Sequence, residues 1–300
     1  MKTRTLVQIL ILSAVWGISF LMIRVAGTVF PPLWVSLLRS SLGALLLWGV
    51  LLAGGNALPP RRVMGWLTVV ALFNNAIPFA LFALGEKTVP SNIAGVINAT
   101  TPIWTLLLSI AIFRVRMTGL MIGGVLLAFA GVVVVVMNQT VDPAQVPGAA
   151  LRGSIIIGLA ALGYAIATVI AKAKLKGFDP IGLATVQLSL AAGMVLPFAV
   201  TLERPAPLSW GPVAAISVLG FAGSGLAYLL YYKLLGEVSA TQVVAVTYLL
   251  PLWGLMWGAV AHEAVGVAAC VGVGITIAGL VILNWKPAPK KEIVACGATE

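Results

Sequence analysis

The chain has 300 residues, of which 61% are hydrophobic and only 9% are charged, and its formal net charge is +10. A soluble domain of this length carries about a quarter charged residues, so the composition excludes an ordinary soluble protein and indicates a membrane protein. The positive charge does not indicate a nucleic-acid partner, because the basic residues lie in short clusters between apolar runs.

Ten apolar runs are long enough to form transmembrane helices, which need about 18 residues or more. The sequence therefore predicts an all-α polytopic membrane protein with short, turn-rich connections between its helices. In chain order, the predicted helices 1 to 10 are 6–26, 33–53, 64–84, 91–113, 117–137, 152–172, 180–201, 210–232, 239–261 and 265–285.

The basic residues predict the orientation of these helices. With the N-terminus inside, inner segments hold 13 of the 18 Lys and Arg residues, in agreement with the positive-inside rule. Both termini are therefore predicted to be cytoplasmic, and the location to be the inner (plasma) membrane of a bacterium. Lys2 and Arg4 precede helix 1 as they would in a signal peptide, but no small-residue cleavage site follows, so helix 1 is interpreted as retained.

The second half of the chain repeats the first at an offset of about 148–149 residues. TTPIWTLLLS around Pro102 returns as LLPLWGLMWG around Pro251. Further matches pair Trp16-Gly17 with Tyr164-Ala165, Arg24 with Lys172, Pro32 with Pro180, Trp104 with Trp253, and Gly123 with Gly272. Each match alone is weak, but several at a near-constant offset indicate a duplication.

The duplication predicts two inverted repeats, because each half holds five helices and five is odd. The predicted units are a first five-helix repeat (1–137), a linker (138–151), a second five-helix repeat (152–286) and a disordered cytoplasmic tail (287–300). Two inverted copies can exchange slightly different conformations, which changes the side on which the protein is open. The sequence thus predicts alternating access.

Equivalent positions of helices 3 and 8 are poor helix formers. Helix 3 carries FNNAIP, with Asn74, Asn75 and Pro78, and helix 8 carries GFAGSG. Interrupted helices at corresponding positions mark the binding site in repeat transporters, although small residues also serve close helix packing. The amides cannot face lipid without cost, so one of the two asparagines is expected to face a cavity.

Pro102 and Pro251 predict a second paired feature, in helices 4 and 9. Each proline frees a carbonyl one turn earlier, near Asn98 and Thr247, which predicts either a hinge or a packed kink satisfied by Thr hydroxyls. Deep aromatic residues would add stacking surfaces. The predicted substrate-binding residues are Trp16, Ser19, Asn74, Asn75, Phe79, Asn98, Thr101, Trp104, Tyr164, Thr168, Tyr228 and Tyr248, and the predicted hinges are Pro78, Pro102 and Pro251.

Arg39 lies within helix 2, and two interpretations of it stay open. An intramembrane arginine is by default a functional residue, but its side chain can also snorkel toward the headgroups, which is the favoured interpretation here. No metal site is predicted, because Cys270 and Cys296 lack ligand spacing, and no cofactor or catalytic residue is predicted.

The two five-helix units, the WGISF start of helix 1, Pro102 and Pro251, and Glu263 just after helix 9 together resemble the EamA family of the drug/metabolite transporter superfamily. The resemblance covers about residues 1–286. The spans that carry Trp and Tyr are most similar to the YddG-type exporters, which implies export of aromatic and other amino acids. The chain departs from the family pattern at Arg114, where the repeat places the counterpart of Glu263.

We therefore predict a transporter that exports aromatic and other neutral amino acids, or related small metabolites, by alternating access. Transport is predicted to be facilitated rather than tightly proton-coupled, because no Asp or Glu lies within a predicted helix. The predicted partners are a small-molecule substrate and the lipid bilayer, with no nucleic acid, and the protein is predicted to be a monomer.

Other functions stay open. The alternative within the transporter class is a broad-specificity drug or metabolite exporter with proton antiport. A membrane enzyme or a channel is a remote alternative, since neither a nucleophile with its base nor a ring of like groups is visible in the sequence.

Overall fold

The computed structural model describes residues 3–114, 118–139, 146–237 and 240–283, with the backbone alone at residues 232, 235–237 and 240–245. All regular elements in these ranges are helical, and they form ten helices. The helices are α1 (Thr3–Ala26), α2 (Pro32–Gly54), α3 (Arg61–Gly85), α4 (Ser91–Phe113), α5 (Gly119–Met137), α6 (Ala149–Lys174), α7 (Pro180–Leu202), α8 (Trp210–Ser217, continued by Val218–Leu226 and Ala227–Glu237), α9 (Ala240–Val260) and α10 (Val267–Leu283).

Eight of these helices, α1 to α8, are long and apolar enough to cross a membrane, and α9 and α10 are shorter apolar helices in the described part. The prediction of an all-helical polytopic membrane protein is confirmed for the described residues. Helix α6 begins at Ala149, three residues before its predicted start, because Gly148 adopts a left-handed conformation (φ 78°) that turns the chain into the helix. Much of the predicted linker and all of the predicted tail (287–300) lie outside the described residues.

The chain forms connections at two ends of the helix bundle, which we call the linker end and the terminal end. The linker end carries the connections 27–31, 86–90 and 203–209, and there Glu203 accepts a hydrogen bond from the backbone of Leu33. The terminal end carries the connections 55–60 and 175–179, and there Asp179 accepts a hydrogen bond from the backbone of Ala57.

Three helices of the first half pack against the helix at the matching position of the second half: α2 against α7, α4 against α9, and α5 against α10. Each of these pairs runs antiparallel. The closest pair is α5 with α10, where Gly124 lies against Leu283 and Gly131 lies against Thr276. An added Cβ at either glycine would lie 2.5 Å from backbone nitrogen of α10, so only glycine permits this approach. At the ends of α4 and α9, Arg114 (φ 52°) and His262 (φ 57°) are both left-handed.

The packing of α4 against α9 differs between the two ends. At the linker end, Gly95 of α4 meets Gly254 of α9, and Asn92 meets Gly258. The second half of α4 (Thr101–Phe113) lies instead against α6, makes little contact with α9 in the described residues, and is largely half-exposed or exposed. The two helices therefore converge at the linker end and diverge toward the terminal end.

Three helices are interrupted near their middles. Helix α3 widens into a π-helix at Leu72–Ala76 and α8 at Val218–Leu226, which are the equivalent stretches FNNA and GFAGSG. In α3, Pro78 has no N–H to donate, and the wider turn is closed by a bond from Ile77 to the carbonyl of Leu72. A wider turn changes the direction of its side chains, and π-helical turns are frequent at functional sites. Helix α4 is broken at residues 99–100, just before Pro102.

Candidate functional site

Three side-chain amides converge on one phenol at the middle of the bundle. Tyr228 Oη accepts hydrogen bonds from Asn74 Nδ2 (2.9 Å), Asn75 Nδ2 (3.3 Å) and Gln187 Nε2 (3.4 Å). Gln187 Nε2 also donates to Asn75 Oδ1 (2.5 Å). These four residues, from α3, α7 and α8, are called the amide–phenol cluster below. Gln187 was not predicted, although a single amide in the apolar run 180–201 is a signal that sequence reasoning could have used.

Replacing Tyr228 with phenylalanine should destabilise the protein by about 1–3 kcal/mol, because amide donors would lose their acceptor in an apolar interior. The measurement is unfolding in detergent with increasing SDS. Tyr164→Phe is the matched control, since the Tyr164 hydroxyl makes no hydrogen bond with the described residues. Equal stability of Tyr228→Phe and the control would show that the cluster does not hold these helices together.

Arg39 lies beside this cluster and does not snorkel, which corrects the interpretation favoured from the sequence. Its side chain is buried, with Nε donating to Ser224 Oγ (3.1 Å) and Cζ 4.0 Å from the centre of the Phe79 ring. Phe79 packs in the same apolar cluster as Tyr164 and Tyr228. The aromatic face and the hydroxyl hold the guanidinium inside the bundle rather than at the headgroups.

Aromatic rings form one wall of the site. Tyr164 stacks on Phe82 with 5.9 Å between ring centres, and Phe82 contacts Phe20 at 5.6 Å. Trp16 lies nearer the terminal end and contacts Tyr231 at 5.7 Å. Such a wall binds apolar and aromatic groups by contact and stacking.

The structure brings together half of the predicted substrate-binding residues. These are Ser19, Asn74, Asn75, Phe79, Tyr164 and Tyr228, all at or beside the amide–phenol cluster and Arg39. Trp16 lies next to them, against Tyr231. Thr168 lies apart, since it is exposed and its hydroxyl donates to the Tyr164 carbonyl on the same helix. Tyr248 also lies apart and packs with Ala99, Ile103 and Leu280.

The remaining predicted residues of α4 bond mainly to one another at the helix break. Thr101 Oγ1 donates to the carbonyl of Asn98 (2.8 Å), which Pro102 leaves free, and Trp104 Nε1 donates to Thr100 Oγ1 (3.2 Å). The kink is thus satisfied by threonine hydroxyls. Of the other two prolines, Pro78 follows the π-helical stretch of α3, and Pro251 lies inside a continuous α9.

A carboxylate joins three helices at the linker end. Glu263 Oε1 accepts hydrogen bonds from Arg24 Nη1 (2.9 Å), Ser91 N (3.0 Å) and Ser91 Oγ (2.8 Å), and Oε2 accepts one from Asn92 N (3.0 Å). The Glu263 side chain is 6% exposed and that of Arg24 is 46% exposed. A carboxylate on the first N–H groups of a helix is favourable because it satisfies free donors and complements the helix dipole. These four residues are called the latch below.

Glu86 is a second acid at the linker end, and sequence reasoning missed its burial. It follows the last residue of α3, is 6% exposed, and neither carboxyl oxygen has a hydrogen-bond partner among the described residues. Glu86 lines a cavity of about 330 Å³ together with Arg24, Thr28 and Lys87. Burial raises the pKa of Glu86 well above its ordinary value, and the nearby charge of Glu263 raises it further.

The structure is a bundle of apolar membrane-length helices with buried polar and aromatic groups at its centre, as is found in helical membrane transporters. The sequence model of the EamA-like transporter family matches the chain twice, at residues 3–137 and 151–285. The chain therefore belongs to the EamA-like transporter family. The two matches cover nearly all of both halves and begin 148 positions apart.

Relatives from bacteria and archaea cover almost the whole chain. The transporter YvbV of Bacillus subtilis is 25% identical over 100% of this chain and 97% of its own length. The inner membrane transporter YedA of Escherichia coli is 26% identical over 94% of this chain and 91% of its own length. A crystal structure with 17% sequence identity covers 94% of this chain and 96% of its own with a TM-score of 0.68, which shows a shared fold.

Proposed function

We propose that this protein exports aromatic and other neutral amino acids, or related small metabolites, across the bacterial inner membrane by alternating access. The observation that carries the proposal is the unequal packing of α4 and α9, which meet at the linker end and diverge toward the terminal end. The amide–phenol cluster and Arg39 lie near the middle of the bundle, on the terminal-end side of the contact between α4 and α9. A solute that enters from the terminal end would meet amides for its polar groups and rings for its apolar side chain.

The antiparallel pairing of equivalent helices supports an inverted repeat. Gly124 and Gly131 of α5 correspond to Gly272 and Gly279 of α10 at an offset of 148, and each set packs against the other in reverse order. Two copies related in this way can exchange conformations, so that α4 and α9 would next meet at the terminal end and part at the linker end. This exchange would move the site from one side of the membrane to the other.

The distribution of basic residues supports a cytoplasmic terminal end. Most Lys and Arg residues belong to the segments at that end, and positive residues favour the cytoplasmic side. The structure would then be open toward the cytoplasm and closed toward the outside by the latch. An exporter loads its substrate from the cytoplasm in this state.

Counterflow into proteoliposomes tests the proposal. Labelled phenylalanine should accumulate transiently in vesicles preloaded with unlabelled phenylalanine and should do so saturably. Tyr164→Ala should lower this exchange at least tenfold, because it removes the ring that stacks on Phe82, whereas Trp210→Ala, at an 84% exposed position, should leave it unchanged. Folded protein that exchanges no neutral amino acid would exclude amino-acid export.

The burial of Glu86 favours a second candidate function, proton-coupled export. A carboxyl group that is sealed in one state and hydrated in another binds a proton with different affinity in the two states, which links proton binding to the conformational change. The test is substrate-driven proton movement in the same vesicles, read with a pH-sensitive dye. A proton flux that scales with transport and vanishes in Glu86→Gln would establish coupling, and its absence would leave facilitated export.

The raised pKa of Glu86 also predicts how stability depends on pH. A carboxyl whose pKa is raised in the folded protein binds its proton more tightly there than in the unfolded chain. Its stabilising contribution to the free energy of unfolding is complete below the ordinary pKa near 4.5. That contribution is lost as the pH rises through the raised pKa of the folded protein. The melting temperature of the wild type should therefore fall over this range more than that of Glu86→Gln.

Thermal melts of both proteins between pH 4.5 and 8 provide the measurement. Glu203→Gln is a suitable control, because Glu203 lies at the same end and accepts a hydrogen bond from Leu33 N (2.8 Å). Parallel melting curves for Glu86→Gln and the wild type would contradict the burial of an unpartnered carboxyl at this position.

A further inference from the structure

The charge of Arg39 is buried in the membrane-spanning part of the bundle. The residue is 7% exposed, and its side chain is enclosed by α3, which supplies Phe79, and by α8, which supplies Ser224. An arginine in a protein does not lose its proton, so this site carries a full positive charge. A charge in such an environment is costly unless it is paired.

No acidic side chain of the described residues pairs with Arg39. Within the described residues, the ion pair joins Arg24 to Glu263, and it lies at the linker end. Ser224 takes one of the five N–H groups of Arg39, the one on Nε, and the two terminal nitrogens donate to no acceptor among the described residues. The guanidinium therefore has both an uncompensated charge and unused donors.

A glycine, Gly223, lies beside these donors. A Cβ added at Gly223 would lie 3.8 Å from Arg39 Nη2 and 3.0 Å from Ser19 Oγ. Gly223 belongs to the π-helical stretch of α8, so the widened turn presents its bare backbone between a guanidinium and a hydroxyl. An anionic group placed there would meet the charge-assisted donors of Arg39 from α2. It would also lie beside the Ser19 hydroxyl of α1, which donates to the Val15 carbonyl (3.0 Å) and would turn to reach the anion.

The geometry points to Arg39 as the residue that binds the carboxylate of the transported solute, beside Gly223 and Ser19. This inference rests on the proposed function and names the substrate class: a solute with one carboxylate and an apolar or aromatic remainder. The fork of a guanidinium matches the two oxygens of a carboxylate. The ring wall at Phe79 and Tyr164 would receive the apolar remainder, since both rings pack in one cluster.

Three matched probes test the inference on the full chain in lipid nanodiscs, by calorimetric titration with empty nanodiscs as the blank. The probes are L-phenylalanine, 3-phenylpropionate, which lacks the amine, and 2-phenylethylamine, which lacks the carboxylate. The wild type should bind both carboxylates at least tenfold more tightly than the amine. Arg39→Gln should remove this preference by weakening the carboxylates at least tenfold, and Arg39→Lys should retain part of it.

Arg62→Gln is the matched control, because Arg62 also lies over an aromatic ring, that of Phe178 at 5.7 Å, but is exposed at the terminal end. The Arg62→Gln variant should bind all three probes with the affinities of the wild type. Unchanged carboxylate affinity in Arg39→Gln, or a wild type that prefers the amine, would overturn the inference. If Arg39→Gln does not fold, Gly223→Ala keeps the charge but places a methyl group between Arg39 Nη2 and Ser19 Oγ. This variant should bind carboxylates at least tenfold more weakly, and wild-type affinity would overturn the inference.

Different results would reject the carboxylate site and the proposed function. Binding of 3-phenylpropionate that depends on Arg39, together with no exchange of any amino acid, would support the carboxylate site and reject amino-acid export. Wild-type exchange of phenylalanine by Arg39→Gln would support export and reject the site.

Discussion

Glu263→Gln should lower counterflow at least tenfold, mainly through a higher half-saturation concentration on the terminal side. Glu263 holds Arg24 and the start of α4 together at the linker end, and its charge strengthens each of these hydrogen bonds. Glutamine keeps the size but removes the charge, at a cost of about 1–3 kcal/mol in hydrogen bonds to a charged group. The state closed at the linker end would then be less populated, and fewer molecules would present the site at the terminal end.

The half-saturation concentration and maximal rate of phenylalanine counterflow provide the measurement. Glu203→Gln is the control, since Glu203 also accepts a hydrogen bond at a helix N-terminus of the linker end but has no arginine partner in the described part of the chain. It should show a modest loss of stability and normal transport. Normal kinetics in Glu263→Gln would show that the latch does not govern the conformational equilibrium.

Gly279→Val should prevent the protein from accumulating in the membrane in a folded state. A Cβ at Gly279 would lie 2.2 Å from the backbone nitrogen of Ala128, and backbone cannot move aside as a flexible side chain can. The helices α5 and α10 would have to separate along the interface that also contains Gly131 and Gly272. Overpacking of a tight core costs typically 1–3 kcal/mol and more when backbone must move.

Gly274→Val separates this steric effect from the helix propensity of valine. Gly274 lies on the same helix, but an added Cβ there has no neighbour within 4 Å. This variant should express and melt like the wild type. Size-exclusion chromatography of both variants in mild detergent gives the answer, and a monodisperse Gly279→Val would contradict the packing described for these helices.

The helices could be predicted from the sequence because they depend on local patterns, and the duplication is a prediction from patterns of the same kind. Apolar runs of membrane length and a recurring Pro-x-Trp at Pro102 and Pro251 need no knowledge of the fold. The interruptions in α3 and α8 were also predictable, since asparagine, proline and glycine are poor helix formers. The start of α6 was displaced by three residues because the left-handed turn at Gly148 depends on the backbone around it.

The site was predicted only in part because its geometry depends on helix rotation. Asn74, Asn75 and Tyr228 were named from their chemistry, but the contact with Gln187 joins residues 112 positions apart. Thr168 and Tyr248 have suitable side chains, yet α6 and α9 are rotated so that both lie away from the amide–phenol cluster. The burial of Arg39 could not be read from the sequence, because Phe79 and Ser224 reach it from other helices.

At the terminal end, the described residues contain no counterpart of the latch. In the repeat predicted from the sequence, Lys172 corresponds to Arg24 and Arg114 to Glu263, and neither of these cations is buried. A difference of about 2 kcal/mol between the two closed forms would make one of them roughly 30 times more abundant at rest. A passive carrier with this bias still brings its solute to the same concentration ratio at equilibrium. Its half-saturation concentrations on the two faces must differ, so kinetic asymmetry would arise from a single charge pair at one end of the bundle.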